Sequence, residues 1–349
     1  MEALKRFSSS SLFLPLVALA VLILFNVVFV DDFLTIQMTE DGRLYGRLID
    51  ILTRSSSLII LALGMTFVIA TSGIDISVGA VVAISAAVVC MLIGGRGDGV
   101  PEHSMLLAIA AAMGVGIFCG IWNGFLVAKL KIQAVVATLI LMTAGRGVAQ
   151  LLTEGQIITV YYKPFSYIAG TIPGNILPTN IFIAAAMELL VVFLMKKTSI
   201  GLFVQSVGIN ANASRFSGIN VTLVIFLVYA FSGFCAGVSG LLESSLIRAA
   251  DANNAGLNME MDAILAVALG GTLLSGGKFY IGGSVIGAIT IQTLTTTMYA
   301  LGVSADQLPV VMAIAVVIIC LIQSKRCQEM FENWKARRHP SVSSDAGEK

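Results

Sequence analysis

The stretch that decides the fold is SSLIILALGMTFVIATS (Ser56–Ser72), followed after Gly73-Ile74-Asp75 by ISVGAVVAISAAVVCMLIG (Ile76–Gly94). Two apolar runs of near-membrane length meet at one carboxylate, and the segment between them is too short for an ordinary loop. A spanning helix needs about 20 mostly apolar residues. Reading outward for such runs gives ten: Ser11–Val30, Ser56–Ser72, Ile76–Gly94, Met105–Ala128, Ile132–Leu152, Ile181–Met195, Val221–Ile247, Met259–Leu274, Phe279–Leu301 and Gln307–Ser324. The first is read as an uncleaved anchor, since it is too long for a signal peptide and no small-residue cleavage site follows Val30.

Composition agrees. The chain is 57% hydrophobic and 12% charged, whereas roughly a quarter of the residues of a soluble domain are charged. Its 34 Gly against 7 Pro suit helices packed closely through small faces in lipid. Neither the net charge of +1 nor its distribution points to nucleic acid. Cys90, Cys119, Cys235, Cys320 and Cys327 form no C-x-x-C pair, and the two histidines, His103 and His339, fall in connecting segments. A metal site, cofactor site or catalytic triad has almost nothing to be built from.

Charge gives the sidedness independently. With the N-terminus in the cytoplasm beside Lys5 and Arg6, the even connections carry Lys129, Lys131, Lys196, Lys197, Arg215 and Lys278. The tail adds Lys325, Arg326, Lys335, Arg337 and Arg338. The odd connections are acidic or mixed, with Asp31, Asp32, Glu40, Asp41, Asp98, Glu102, Glu154, Asp251 and Asp306. The expectation is an all-α membrane protein of about ten spans with both ends inside: a transmembrane domain over 1–324, and a basic, Ser-rich cytoplasmic tail over 325–349. Ala62-Leu63-Gly64-Met65-Thr66 recurs as Ala268-Leu269-Gly270-Gly271-Thr272, each ahead of a Gly-rich break. Two related halves are a common way to build transporters.

Gly73-Ile74-Asp75-Ile76-Ser77-Val78-Gly79 resembles the Gly-Ile-Asp-Leu-Ser-Val-Gly signature of the sugar-permease family of ATP-binding-cassette importers, which includes ribose, arabinose, xylose and galactose permeases. Further family blocks are Trp122-Asn123-Gly124 and DANNAGLNMEMDAILA (Asp251–Ala266). ALGMTFVIATSGIDISVGAV (Ala62–Val81), VATLILMTAGRGVAQLL (Val136–Leu152) and ADANNAGL (Ala250–Leu257) look like the galactofuranose permeases of that family. The resemblance covers nearly the whole chain and is weakest at both tails and in 161–180. It implies a permease of the bacterial inner membrane that pairs with itself or a second permease around a central pathway. An ATPase subunit would dock below, and a periplasmic binding protein would deliver a monosaccharide such as galactofuranose from above. No G-x-x-x-x-G-K-[ST] run occurs; Gly276-Gly277-Lys278-Phe279 lacks the flanking pattern. ATP hydrolysis therefore falls to the partner.

Candidate pathway residues are Asp75, Asn123, Arg146, Asn253, Asn254 and Asp262. A carboxylate among apolar residues is expensive in a bilayer, so Asp75 either holds a broken helix beside the pathway or caps the helix that follows. Arg146 either snorkels and bonds carbonyls or donates to sugar hydroxyls. Amides both donate and accept, as hydroxyl recognition requires, but Asp251-Ala-Asn-Asn is equally good turn chemistry. Glu188 and Glu243 are intramembrane carboxylates suited to interhelical hydrogen bonds. By the resemblance, the polar segment 196–220 carries the coupling helix that fits a groove of the ATPase. Gly208, Ala211, Ala213, Arg215, Phe216 and Gly218 are its candidate contacts, with Ala211, Ala213 and Phe216 forming a small apolar face. The competing class is an ion-coupled secondary transporter, which favours paired ionisable groups within the membrane. A membrane enzyme finds no clustered catalytic residues.

Overall fold

The computed structural model describes residues 12–39, 42–94, 100–304, 307, 309–310, 312–314 and 317. Its main unit, Met1–Leu301, is helical. In chain order it holds α1 (Phe13–Phe29), α2 (Arg47–Ala70), α3 (Val78–Ile93) and α4 (Met105–Gly124), the last running into a π turn over Phe125–Lys129. Then follow α5 (Ala134–Leu152), α6 (Thr179–Lys197), α7 (Ile200–Ile209), α8 (Ala211–Phe216), α9 (Val221–Ile247), α10 (Met259–Leu269) and α11 (Ile281–Ala300). Two-residue strands make two antiparallel ladders, β1 (Gln37–Met38) with β2 (Leu44–Tyr45) and β3 (Ile158–Thr159) with β4 (Ala249–Ala250). The second unit is Gly302–Lys349; among its described residues Pro309, Val310 and Ile314 are helical.

The all-α membrane architecture holds. Each of the first nine apolar runs contains a helix; of the tenth, Gln307–Ser324, only seven positions are described, and the tail over 325–349 lies outside the described residues. Among the described residues, α2, α4 with its π turn, α5, α6 and α9 are long and apolar enough to cross a membrane, while α1, α3 and α7 are apolar and shorter. The expected eighth span, Met259–Leu274, is corrected. Its helix α10 has 11 residues, and at about 1.5 Å per residue it covers roughly half of a 30 Å hydrocarbon core. Gly271, at φ 85°, takes the left-handed turn that ends it. The second run is longer than expected, because α2 starts at Arg47 and includes a polar turn that apolar reading cuts off.

From Ser55 to Ala70 every residue of α2 is buried. A helix apolar all round belongs in a core, and α2 is enclosed by α6, α9, α10 and α11. By contrast, α4 buries one stripe of small residues, Ala108, Ala112, Gly116, Cys119, Gly120 and Asn123, and exposes Leu106 and Phe118. That stripe lets α4 meet α9 backbone to backbone: a Cβ on Gly116 would lie 2.5 Å from the Gly233 carbonyl oxygen.

Contacts sort the connections to two ends. At one end Leu44 N–H donates to the Ile176 carbonyl (3.0 Å) and β3 pairs with β4. At the other, the Ser72 hydroxyl donates to the carbonyls of Gly208 (3.2 Å) and Ser275 (2.9 Å). Gly277 N–H donates to the Ala70 carbonyl (2.9 Å). The Gly-bearing breaks after α2 and after α10 therefore touch. Of the two similar pentapeptides, the first lies inside α2 and the second straddles the end of α10.

Candidate functional site

At the β3–β4 end, α2, α9, α10 and α11 surround a cavity of about 800 Å³. Asp50 and Arg54 stand one turn apart on α2, so both reach it from one helix face. Glu243 enters from α9, Asp262 from α10, and Gln292, Thr295 and Thr296 from a single face of α11. Leu58, Leu257 and Tyr299 supply apolar wall. Ser57 donates to the Glu243 carboxyl, which also lies within electrostatic reach of Arg54. Carboxylates accept, the guanidinium donates, and the amide and hydroxyls do both. This set suits a small, hydroxyl-rich solute, and among the described residues no group of His, Cys, Asp and Glu is placed to hold a metal ion.

The roof is the turn after β4. Asp251 Oδ1 accepts the N–H groups of Asn253 (3.0 Å) and Asn254 (3.3 Å), and Asn254 Nδ2 donates to Asp251 Oδ2 (2.7 Å). The Asn254 amide holds the Asp251 carboxyl below the usual carboxylate range. Gln150 Nε2 donates to Asn253 Oδ1 (2.8 Å), and Arg146 donates to the carbonyls of Ala252 and Ala255. Gly256 takes φ 64°, where its Cα sits so close to α3 that a Cβ would lie 2.4 Å from the Gly79 carbonyl. Of the expected pathway residues, Asn254 and Asp262 line the cavity; Arg146 and Asn253 tie down the turn and are not part of the lining.

Asp75 and Asn123 lie elsewhere, sealed at 1% and 0% exposure. Asp75 does not cap α3 in the expected way, because the residue before that helix is Ser77 and Asp75 binds there instead. Its Oδ1 accepts the Ser77 N–H (3.1 Å) and hydroxyl (2.6 Å), and its Oδ2 accepts the Ser232 hydroxyl from α9 (3.0 Å). Asn123 Nδ2 of α4 donates to Ser77 Oγ (2.8 Å) and approaches Asp75 Oδ1 (3.4 Å). The carboxylate thus joins the α2–α3 break to α4 and α9. Nearby, Tyr229 OH and Asn123 Oδ1 are buried without a hydrogen-bond partner among the described residues.

The segment 196–220 folds as α7 and α8, broken at Asn210, whose Oδ1 accepts the N–H groups of Asn212 and Ala213 (3.0 Å each). Gly208 lies within α7, so close to the end of α2 that a Cβ would meet the Ala70 carbonyl. In α8 Ser214 faces inward, Ala211 is half-buried, and Ala213, Arg215 and Phe216 are exposed, Phe216 by 94%. Gly218, at φ 84°, turns the chain towards α9.

Sequence reasoning missed Asp50, Arg54, Gln292, Thr295 and Thr296. The i, i+4 spacing of Asp50 and Arg54 ahead of an apolar run was the available signal, as was the Thr-Leu-Thr-Thr-Thr string at 293–297. It also missed Glu260, which is 3% exposed and packed so tightly on α3 that a Cβ on Gly79 would overlap its carboxyl.

The chain matches over residues 47–322 the family described as "Branched-chain amino acid transport system / permease component". It is 43% identical to the galactofuranose transporter permease protein YtfT of Escherichia coli K12, over 92% of each chain. It is 38% identical to the fructose import permease protein FruF of Bifidobacterium longum, over 96% of this chain and 93% of that one. It is 35% identical to the ribose import permease protein RbsC of Escherichia coli K12, over 89% and 93%. No solved structure matches.

Proposed function

This chain belongs to that family of transport-system permease components, and on that premise we propose that it carries a monosaccharide through the α2–α9–α10–α11 cavity, driven by a separate ATPase subunit. It is a multi-pass membrane transport protein of the bacterial inner membrane, and its family is not one of enzymes. The observation that carries the sugar reading is the cavity wall. Asp50 and Asp262 bring acceptors, Arg54 brings donors, and Gln292 and Thr295 bring both, around a space of about 800 Å³. The family description names amino acids, but the relatives similar over nearly their whole length are named for galactofuranose, fructose and ribose.

In this reading Asp262 and Asn254 contact the solute, Arg146 and Asn253 hold the turn above it, and Asp75 with Asn123 fixes the broken helix. A periplasmic binding protein delivers the sugar at the β3–β4 end, a second permease completes the pathway, and α8 meets the ATPase. Both termini are cytoplasmic.

Membrane vesicles containing this chain, an ATPase subunit and a binding protein test the proposal. Uptake of labelled galactofuranose, ribose or fructose is expected to need ATP and to fall in Asp262→Asn. Uptake of leucine in place of every sugar would overturn the substrate class. Arg54 and Glu243, both in the cavity wall, favour one second reading, ion-coupled carriage; sugar uptake that needs no ATPase and collapses with a protonophore would establish it.

A further inference from the structure

At the opposite end from the sugar cavity, α2, α6, α7 and α9 enclose a second cavity of about 400 Å³. Every residue in its wall is apolar: Phe67 at the back, Leu194 and Met195 from α6, Ile200, Phe203 and Val204 from α7, and five from α9 between Leu223 and Phe231. Its outer wall is open, since Ile200, Phe203, Leu223 and Leu227 are exposed. A cavity lined by apolar side chains among the described residues offers little to a sugar or an ion, and an aqueous occupant would lose hydrogen bonds there. The wall that Leu194 and Met195 form continues directly into Lys196 and Lys197, both exposed, in the last turn of α6. An apolar slot whose wall is followed, in the last turn of the same membrane helix, by two exposed lysines suits a hydrocarbon chain bearing an anionic head.

We propose that this cavity holds an acyl chain of an anionic phospholipid, with its phosphate at Lys196 and Lys197. The site does not depend on which solute the protein carries. It has a mechanical consequence, because α7 forms one wall and is followed, after Asn210 alone, by α8. At Gly201 the backbone of α7 rests on α6, where a Cβ would lie 2.2 Å from the Met195 carbonyl, so little freedom remains between the two helices once the slot is filled. The lipid becomes the packing that sets where α8 is presented.

Native mass spectrometry of the purified chain in detergent tests this, using phosphatidylglycerol and phosphatidylcholine with identical acyl chains. The intact protein should retain phosphatidylglycerol in preference. The double variant Lys196→Ala/Lys197→Ala should lose about thirty-fold in phosphatidylglycerol affinity, the worth of two juxtamembrane basic residues, with phosphatidylcholine unchanged. Leu227→Trp, at an exposed wall position, should fill the slot and lower binding of both lipids while the protein stays folded by circular dichroism. Equal retention of the two lipids by the intact chain would overturn the proposal, as would a double variant that keeps its selectivity. So would Leu227→Trp binding lipid normally, or dissociating a dimer that binds none, which would place a second copy of the chain over the slot.

Discussion

The Ser232 hydroxyl of α9 donates to the Asp75 carboxylate at 3.0 Å, joining residues 157 positions apart in the chain. Through that bond and those of Ser77 and Asn123, a group that is costly in a bilayer becomes the junction of three segments. Burial closes the carboxylate off from the cavity at the β3–β4 end, and its bonds hold the α2–α3 break in place.

Asp75→Ala leaves the donors of Ser77, Ser232 and Asn123 facing an emptied site. Each buried group left unpaired costs about 1–3 kcal/mol. We expect Asp75→Ala to be the most destabilising change in the cluster, Ser232→Ala to cost less, and Asp75→Asn, which keeps an acceptor, to be milder than Ala. Unfolding midpoints in detergent rank the three. Equal midpoints for Asp75→Ala and the unmodified chain would remove the junction from the account of stability.

Gly116→Ala should be damaging where Gly114→Ala is not. The first would put its methyl group 2.5 Å from the Gly233 carbonyl, whereas nothing lies within 4 Å of a Cβ at Gly114. Overpacking costs about 1–3 kcal/mol, while Ala in a free helical position gains up to about 1 kcal/mol over Gly. Opposite shifts in the unfolding midpoint are the expected result.

The segments that burial on all sides produces were legible in the sequence, because a run such as 58–70 carries its message without partners. The α4 stripe was legible only as Gly abundance; which helix it would meet depends on Gly233 and Tyr229, more than a hundred positions away. The half-length α10 was read as a span because hydropathy continues to Leu274 while the backbone turns at Gly271. The cavity was the least visible part. Its polar residues sit one turn apart on helices whose apolar neighbours dominate any window, and Asp50 and Arg54 fall just ahead of the apolar run that begins at Ser56. The Asp251 turn was legible as turn chemistry, though not as a roof.

That turn should loosen in acid. The bond from Asn254 lowers the Asp251 carboxyl pKa in the folded protein. A depressed carboxyl contributes stability that is complete above its unfolded value, about 3.9, and is lost as pH falls through the lower folded value. Hydrogen exchange at the amides of Asn253 and Asn254 should therefore quicken, beyond the intrinsic rate, as pH falls from 5 to about 3. Asp251→Asn should show no such step. If both proteins follow the intrinsic rate alone, the carboxylate does not hold the turn.

Sidedness can be read directly. In a background lacking all five cysteines, single cysteines at Lys197 and Glu154 mark opposite ends of the protein. An impermeant maleimide added to whole cells opened at the outer membrane should label position 154 and spare 197 until the inner membrane is breached. Reversed labelling would invert the protein and move α8 away from any cytoplasmic partner.

Phe216 offers the sharpest test of what α8 is for. A phenyl ring left 94% exposed has no packing role among the described residues, so a stability argument predicts little effect from its replacement. An interface argument predicts the reverse, since truncating a buried aromatic anchor commonly costs about 2 kcal/mol or more of binding. Ala213 and Arg215 are exposed beside it, and the Asn210 cap and the left-handed Gly218 fix the short helix at both ends. Such a helix transmits movement only if a partner grips it. Phe216→Asp should therefore insert and melt like the unmodified chain, yet lose co-purification of the ATPase subunit and sugar-stimulated ATP hydrolysis in reconstituted complexes. Phe216→Leu, which keeps an apolar contact, should retain part of both. Full stimulation by Phe216→Asp would show that the ATPase does not grip α8 through this ring, and the partner surface would have to be sought elsewhere on the same end, at Lys129, Lys131 or Lys278.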